Sequence, residues 1–295
     1  MCDELTMGDA DRYLHSTGIN RRAFNKMGAG LAMAAIMPSY AQTKDVVEQS
    51  VVIKTPDGEA DAYFVHPAKD SHAGVILWPD IFGIRESYRQ MGKRLATSGY
   101  SVLVVNPYYR TRKKQIVPED VMVVDPELRA QLFPVAREQA ATLSPATCVA
   151  DGRAFVTFLD LQPSVDTSRP LGVMGYCMTG SYTFRMAAEM PERVSAGASF
   201  HGGGLVTDQT DSPHLLIPKI DAGFLIAIAE NDDEREPEAK TVLREAFDAA
   251  VAEAEIEVYQ DAMHGWCPPD SAVYNEAQAE RAWSRLLKLF GERLG

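Results

Sequence analysis

The chain contains, in this order, Cys177, Asp232 and His264. Their side chains could together carry out nucleophilic catalysis. A cysteine thiol is intrinsically more nucleophilic than a serine hydroxyl, but it still needs a base to remove its proton. Histidine is the usual base, and an aspartate beside it holds the imidazole in the required tautomer and orientation. These residue types therefore point to acyl transfer, provided that the fold brings them together.

The segment around the cysteine, GYCMTG (175–180), has the pattern of a sharp turn between a strand and a helix. An apolar run precedes it and a helical pattern follows it. Such a turn exposes a nucleophile, and the N-terminus of the next helix stabilises a thiolate. Met178 would offer its backbone N–H to a developing oxyanion. A lone cysteine is otherwise most often a small buried hydrophobic residue, but this context favours a nucleophile at Cys177.

Several neighbouring residues have two interpretations each. Asp233 adjoins Asp232, and the position of Asp232 just after a predicted strand favours it as the acid. His201 either lines the pocket or is a hydrogen-bonded structural histidine. Tyr176 and Trp266 either wall the pocket or pack in the core.

Strand and helix alternate through nearly the whole chain after residue 46. This alternation predicts an α/β architecture, a mostly parallel, doubly wound sheet flanked by helices, in one domain over residues 46–295. Ligands bind beyond the carboxyl ends of the strands in such sheets, which is where the three candidate residues lie. Their order of nucleophile, acid and histidine is that of the α/β-hydrolase fold.

The middle of the chain is less regular. The segment 134–162 predicts one continuous helix. The stretch Thr111–Leu143 is either a lid or substrate loop, or a long surface connection.

The composition argues against other classes of function. With 295 residues, 46% of them hydrophobic, the chain can bury a sizeable core. A net charge of −12 disfavours binding to nucleic acid and gives no support for docking on anionic lipid. The cysteines show no CxxC and no zinc-type spacing, so we expect no metal, and acyl transfer needs no organic cofactor.

The pattern of residues 1–41 predicts an export signal rather than a part of the folded domain. Arg21 and Arg22 precede a short apolar run (27–37), too short to span a bilayer, and small residues around Ala41 offer a cleavage site. The arginine pair resembles the twin-arginine signal, which implies the twin-arginine export machinery as a partner and a bacterial periplasmic or secreted protein. The alternative is an amphipathic start to a cytoplasmic protein.

The sequence resembles the dienelactone hydrolase family, α/β-hydrolases with a Cys-Asp-His triad that open lactones and esters. The resemblance covers residues 51–294 and rests on three segments in order. GYCMTG is similar to the family pattern G-Y-C-x-G-G, with Thr179 in place of a glycine. PDIFG (79–83) and DAMHGW (261–266) match the segments before and after it.

The resemblance implies roles for residues outside the triad. Asp80 would hold the resting thiol, and the backbone N–H of Ile81 would complete an oxyanion hole with that of Met178. Arg110, in the segment NPYYR, would bind substrate. A second family arginine, four residues after the histidine, is replaced by Pro268, so binding of a substrate carboxylate is weaker or different.

Together these features predict an exported hydrolase of esters or lactones, of the carboxymethylenebutenolidase type, that works through a cysteine thioester. Its partner would be a small-molecule substrate. Two alternatives remain open: an acyltransferase with the same acyl-enzyme chemistry, and a non-catalytic binding protein with the α/β-hydrolase fold. Neither the natural substrate nor the oligomeric state follows from the sequence.

Overall fold

A computed structural model describes residues 8–9, 12–13 and 45–295. The predicted export signal lies almost wholly outside these residues and stays a prediction. Within the described part, eight strands form one sheet in the order β1-β2-β4-β3-β5-β6-β7-β8. Their bounds are β1 Val46–Thr55, β2 Gly58–Pro67, β3 Gly74–Trp78, β4 Ser101–Val105, β5 Leu171–Tyr176, β6 Val194–Phe200, β7 Gly223–Ala229 and β8 Ala254–Tyr259.

The sheet is parallel from β4 to β8 and antiparallel only at the β1–β2 edge. Strands β1 and β2 pair antiparallel to each other, and β2 pairs antiparallel to β4. The pairs β3–β4, β3–β5, β5–β6, β6–β7 and β7–β8 are parallel. The predicted mostly parallel sheet is confirmed. The carboxyl ends of β3, β5, β6, β7 and β8 therefore meet at one edge.

Helices cover both faces of this sheet. They are α1 Glu86–Thr97, α2 Pro126–Ala140, α3 Pro145–Asp160, α4 Gly180–Glu189, α5 Glu230–Arg235, α6 Ala239–Ala249 and α7 Glu276–Arg293. Alternate residues of β3 enter different cores: Ile76 packs with residues of α3, α4 and α6, whereas Val75 and Leu77 pack with residues of α1 and α7. A strand buried on both faces reads as a continuous apolar run, as the sequence of β3 does.

The segment predicted as one helix over residues 134–162 is two helices. The chain breaks after α2 and restarts at Ser144, whose hydroxyl accepts a hydrogen bond from the N–H of Thr147. Thr147 returns a side-chain bond to the N–H of Ser144, which completes a capping box. Pro145 occupies the first turn, where its missing N–H leaves no bond unmade.

The stretch Thr111–Leu143 packs on the carboxyl edge of the sheet. It contains α2, and its apolar residues form a separate cluster with Ile81 and Phe82 of the segment PDIFG. A main-chain hydrogen bond from Val124 to Asp270, 2.8 Å long, ties it to the chain that follows His264. Val124 and Arg129 of this stretch line a cavity at that edge, which favours the interpretation as a substrate loop over that as a plain surface connection. No helix of the described residues is long and apolar enough to cross a membrane.

Candidate active site

Cys177 lies directly after β5 in a strained backbone conformation. Its φ angle is +57°, in the left-handed region that residues with a side chain rarely adopt. A short 3₁₀ turn over Cys177–Thr179 then leads into α4. The tightness of the turn demands Gly175, because a Cβ added there would lie 2.2 Å from the carbonyl oxygen of Thr179. The local geometry is the strand–turn–helix elbow that presents a nucleophile.

The side chain of Thr179 holds this turn against the neighbouring strand. Its buried hydroxyl accepts a hydrogen bond from the N–H of Tyr176 at 2.9 Å. It lies 3.0 Å from the carbonyl oxygens of Trp78 and Pro79, to either of which it can donate its one proton. Thr179 therefore links the nucleophile turn to the segment PDIFG at the end of β3, a link that glycine could not make.

The three cysteines of the described residues differ in state. Cys177 is disulfide-bonded in this structure, whereas Cys148 and Cys267 are free. Burial raises the pKa of both free thiols well above the usual value, so they stay protonated and unreactive. Because a thiolate is the attacking species, chemistry at Cys177 requires its reduced form.

His264 and Asp232 form a hydrogen-bonded pair beside the elbow. Nδ1 of His264 lies 2.7 Å from Oδ2 of Asp232. The backbone N–H of His264 donates to Oδ1 of Asn231 at 2.8 Å, which fixes the loop after β8 to α5. Burial opposes ionisation of Asp232, but the charge and hydrogen bond of His264 outweigh it and lower the pKa of Asp232. Asp233 instead accepts two bonds from Lys240, so the structure pairs the histidine with Asp232.

A cavity opens over the carboxyl edge of the sheet and holds about 530 Å³ of empty space, including its opening to solvent. Both Cys177 and His264 line it, so the candidate nucleophile and the candidate base face the same cavity. The full lining comprises Asp80, Ile81, Phe82, Arg85, Val124, Arg129, Cys177, His201, His264, Gly265, Ser271, Ala272 and Val273. Ile81 is held in place because the hydroxyl of Tyr108 donates to its carbonyl oxygen at 2.8 Å.

His201 lines the cavity and is not a hydrogen-bonded structural histidine. Among the described residues, neither nitrogen of its buried ring has a hydrogen-bond partner. The ring meets that of His264 edge to face, with 4.8 Å between centroids, and also that of Trp266 at 5.3 Å. Burial, followed by the charge of His264, lowers the pKa of His201 well below its usual value, so His201 stays neutral. With a φ of +40°, His201 is, like Cys177, a residue in the left-handed region at the end of a strand.

Tyr176 and Trp266 belong to the core rather than to the cavity wall. Tyr176 stacks on Phe200 with 4.9 Å between ring centroids. Trp266 is fully buried and stacks on Tyr259 at 5.4 Å. Trp266 still backs the site, because His201 packs against it.

A buried ion cluster forms the floor of the cavity. The guanidinium of Arg85 binds both oxygens of Asp80, at 2.7 and 3.0 Å, and both oxygens of Asp270, at 2.6 and 3.1 Å. Oδ1 of Asp80 also accepts from the N–H of Phe82 at 2.9 Å. Burial alone would lower the pKa of Arg85, but the charges of Asp270 and Asp80 raise it. Asp80 therefore directs both oxygens to these partners, and its contact with the resting thiol stays a prediction.

Arg110 does not reach the cavity. Its guanidinium binds both oxygens of Asp151 on α3 at 2.7 Å and Asp57 in the β1–β2 turn at 2.6 Å. Tyr109 shares Asp151 through a 2.7 Å bond from its hydroxyl. These partners hold Arg110 beneath the hairpin, so the role of substrate binding implied by the resemblance has no support in its position.

Two charged residues of the cavity wall, Arg85 and Arg129, were not predicted from the sequence. Arg85 had a signal, because it follows Asp80 by five residues in the same loop. Arg129 had none, since only the packing of α2 over Phe82 brings it to the cavity. No group of three or more metal-ligating side chains occurs in the described ranges.

A model of the dienelactone hydrolase family matches residues 60–294, which include the elbow, the acid and the histidine. The chain belongs to the dienelactone hydrolase family. The family acts on esters and lactones, so the protein is a carboxylic ester or lactone hydrolase.

Named relatives agree with this assignment at low identity. The "Putative carboxymethylenebutenolidase" of Salmonella typhi is 27% identical over 274 residues, covering 90% of this chain and 96% of the relative. The carboxymethylenebutenolidase of Rhodococcus opacus is 25% identical over 244 residues, covering 80% and 88%. The crystal structure of "Putative Dienelactone Hydrolase" from Klebsiella pneumoniae superposes with a TM-score of 0.71 at 24% identity, covering 84% and 99%. That likeness supports the predicted α/β-hydrolase fold.

The hydroxyl of Thr179 can be tested by two substitutions. We expect Thr179→Val to lower the free energy of unfolding by about 1–3 kcal/mol, because the buried N–H of Tyr176 loses its acceptor. Thr179→Ser keeps the hydroxyl and is expected to stay close to the wild type. Urea unfolding of the three proteins measures the effect, and equal stability of the Val and Ser variants would contradict the role given to the hydroxyl.

The ion cluster gives a second prediction. Arg85→Met leaves Asp80 and Asp270 as uncompensated buried charges, and we expect a loss of about 3–5 kcal/mol in unfolding free energy. Adding Asp80→Asn and Asp270→Asn to that variant should restore part of the loss. Arg89→Met, one turn further along α1, is the matched control, because within the described residues the side chain of Arg89 makes a single hydrogen bond, of 3.3 Å, to Gln115. A result in which both arginine variants lose the same stability would rule out the cluster as the cause.

Proposed function

We propose that this family member hydrolyses its ester or lactone through a covalent thioester on Cys177. The observation that carries the proposal is the hydrogen bond of 2.7 Å between His264 and Asp232, with His264 and Cys177 lining one cavity. The left-handed backbone conformation of Cys177 at the end of β5 also supports the proposal. Backbone strain in a residue with a side chain is a recurrent feature of functional sites.

In the first half of the reaction, the ring nitrogen of His264 takes the proton of the Cys177 thiol. The thiolate attacks the substrate carbonyl carbon, and the carbonyl electrons move onto oxygen. The backbone N–H groups of Met178 and Ile81 donate to this oxyanion. When the tetrahedral intermediate collapses, the C–O bond to the alcohol breaks and His264 gives its proton to the leaving oxygen.

In the second half, His264 removes a proton from a water molecule that attacks the thioester. The C–S bond breaks, the carboxylic acid leaves and the proton returns to the sulfur. Asp232 stays ionised throughout and steadies the imidazolium, which agrees with the lowered pKa of its carboxyl group. The neutral ring of His201 packs against His264 without adding a second positive charge.

Substitution of the nucleophile tests this mechanism in reducing buffer. We expect Cys177→Ala to lower turnover of p-nitrophenyl esters by about 10³-fold or more while the unfolding transition is retained. Cys148→Ala is the control, because that thiol is buried in the core away from the cavity. Mass spectrometry of the wild type, quenched in acid shortly after mixing with ester, should reveal an acylated Cys177. Unchanged turnover in Cys177→Ala would overturn the proposal, and an inactive wild type with an unreactive thiol would favour a binding protein.

We also propose that the protein is exported to the periplasm by a twin-arginine signal. The support is the pair Arg21 and Arg22 before a short apolar run. Fractionation of a bacterial host expressing the full chain should place ester hydrolysis in the periplasm. Changing both arginines to lysine should move that activity to the cytoplasm. Equal cytoplasmic activity for both proteins would contradict export by this route.

A further inference from the structure

A second cavity lies between α1 and α7. It holds about 660 Å³ of empty space, including its opening to solvent, against about 530 Å³ for the active-site cavity lined by Cys177 and His264. Its walls come from the two helices, from the last residues of β5 and β6 and from the loop after β8. Among the described residues, the two cavities have no lining residue in common.

The loop that carries His264 contributes to the walls of both cavities. Gly265 and Ser271 line the active-site cavity, whereas Cys267 and Pro269 line the second cavity. The loop is therefore a partition between the two spaces. A molecule in the second cavity would pack against the same loop that positions the candidate base.

The ends of two strands connect the cavities in the same way. Tyr176 lines the second cavity and immediately precedes Cys177, and Phe200 lines it and immediately precedes His201. Successive residues of a strand point to opposite faces of the sheet. The chain neighbours of the nucleophile and of His201 therefore face the second cavity.

Tyr176 brings a buried hydroxyl to this cavity. The residue is 1% exposed, and its backbone N–H donates to Thr179. Its hydroxyl forms no hydrogen bond within the described part of the chain. Burial raises the pKa of Tyr176 well above its usual value, and the groups that influence it next, Cys267 and Arg94, also line the cavity. The hydroxyl is therefore protonated, and a ligand that bonds to it would satisfy a buried polar group.

The charged groups of the wall neutralise each other. The guanidinium of Arg94 binds both oxygens of Glu280, each at 2.6 Å, and lies over the ring of Trp283, 4.4 Å from its centroid. Burial raises the pKa of Cys267 well above its usual value, so its thiol is neutral. An ionised ligand would have to be desolvated without an opposite charge free to compensate it. The cavity therefore suits a neutral molecule.

Aromatic side chains provide much of the remaining wall. The rings of Tyr176, Phe200, Tyr274 and Trp283 line the cavity. Aromatic rings pack favourably edge to face or offset against another ring. The wall thus combines faces for a ring with a hydroxyl that needs a partner. The competing explanation is a packing gap between α1 and α7 that holds only water.

We propose that the second cavity binds a small neutral aromatic molecule with one hydroxyl group, and that this occupant acts on ester hydrolysis through the loop shared with the active-site cavity. Binding does not depend on the thioester mechanism. The effect on hydrolysis rests on the proposed role of His264 as the base.

Two probes that differ by one hydroxyl test the binding. Calorimetric titration of benzyl alcohol and toluene into Cys177→Ala avoids any turnover, and benzyl alcohol should bind more tightly. Adding Tyr176→Phe should weaken benzyl alcohol about 3- to 10-fold, the effect of one hydrogen bond, and toluene by less than about twofold.

Filling the cavity gives an independent test. Ala279 lines it on α7, so Ala279→Leu should weaken both probes at least about tenfold by occupying their space. Ala277→Leu is the matched control, because it adds the same side chain at an exposed position of the same helix. It should bind both probes as the unchanged protein does. If Tyr176→Phe does not fold, this pair of variants still decides the matter.

The effect on hydrolysis is measured on the wild type with p-nitrophenyl acetate. Saturating toluene should change kcat by at least about twofold and leave KM within about twofold, as for a coupling between neighbouring groups. In Ala279→Leu, toluene should change neither value. Toluene cannot accept an acyl group, so the change reports on the loop alone.

Several outcomes would overturn the inference. Absence of binding by both probes, or equal binding to Ala279→Leu and Ala277→Leu, would leave the cavity a packing gap. Competitive inhibition by toluene would place the probe in the active-site cavity. An unchanged kcat at saturation would refute the effect on hydrolysis. Unchanged turnover by Cys177→Ala would instead refute the thioester mechanism and leave the binding result intact, which separates the two failures.

Discussion

The turn after β5 is the constraint on which the rest of the site depends. A residue with a side chain is held at φ +57° there, between a glycine that no other residue can replace and the hydroxyl of Thr179. That hydroxyl is shared with the carbonyl groups at the end of β3. These hydrogen bonds hold the candidate nucleophile at a fixed spacing from the segment that carries Ile81. An oxyanion hole built from two chain segments needs this kind of fixed spacing.

Charge is arranged around this turn in two separate groups. Asp232 and His264 form the pair that changes protonation during the proposed reaction. Arg85 lies between two carboxylates in a cluster whose charges are all bound. Breaking such a buried cluster costs far more than a surface ion pair, so it fixes the cavity floor firmly. The proposed proton transfers can then proceed without a change in the charge of that floor.

Local patterns in the sequence predicted much of this arrangement. The apolar runs of the parallel strands are local signals and predicted the fold. The order of Cys177, Asp232 and His264 could be interpreted because each of the three follows a predicted strand, and such strands end at one edge of the sheet. The N-cap at Ser144 was also a local signal, and it divides the segment that periodicity alone joined into one helix. The position of Arg110 away from the cavity could not be predicted from such local patterns. Its partner Asp151 lies 41 residues away on another element, and only the packed fold brings the two together.

Arg129 illustrates the limit most clearly. Nothing in its neighbours along the chain relates it to Cys177, because its position depends on an apolar cluster that joins α2 to the segment PDIFG. Thr179 shows the converse case. Compared with the family pattern it is a departure from glycine, yet its hydroxyl makes bonds that a glycine could not make.

The main-chain bond from Val124 to Asp270 has a consequence for how such an enzyme can diverge. Through it, the segment leading into α2 is joined to the residue that anchors Arg85 and to the loop that carries His264. Helix α2 is therefore not an interchangeable module. A graft of the corresponding helix from a relative would disturb the position of the base as well as the lining of the cavity. New selectivity is reached more readily by single changes on the inner face of α2 than by exchange of the whole segment.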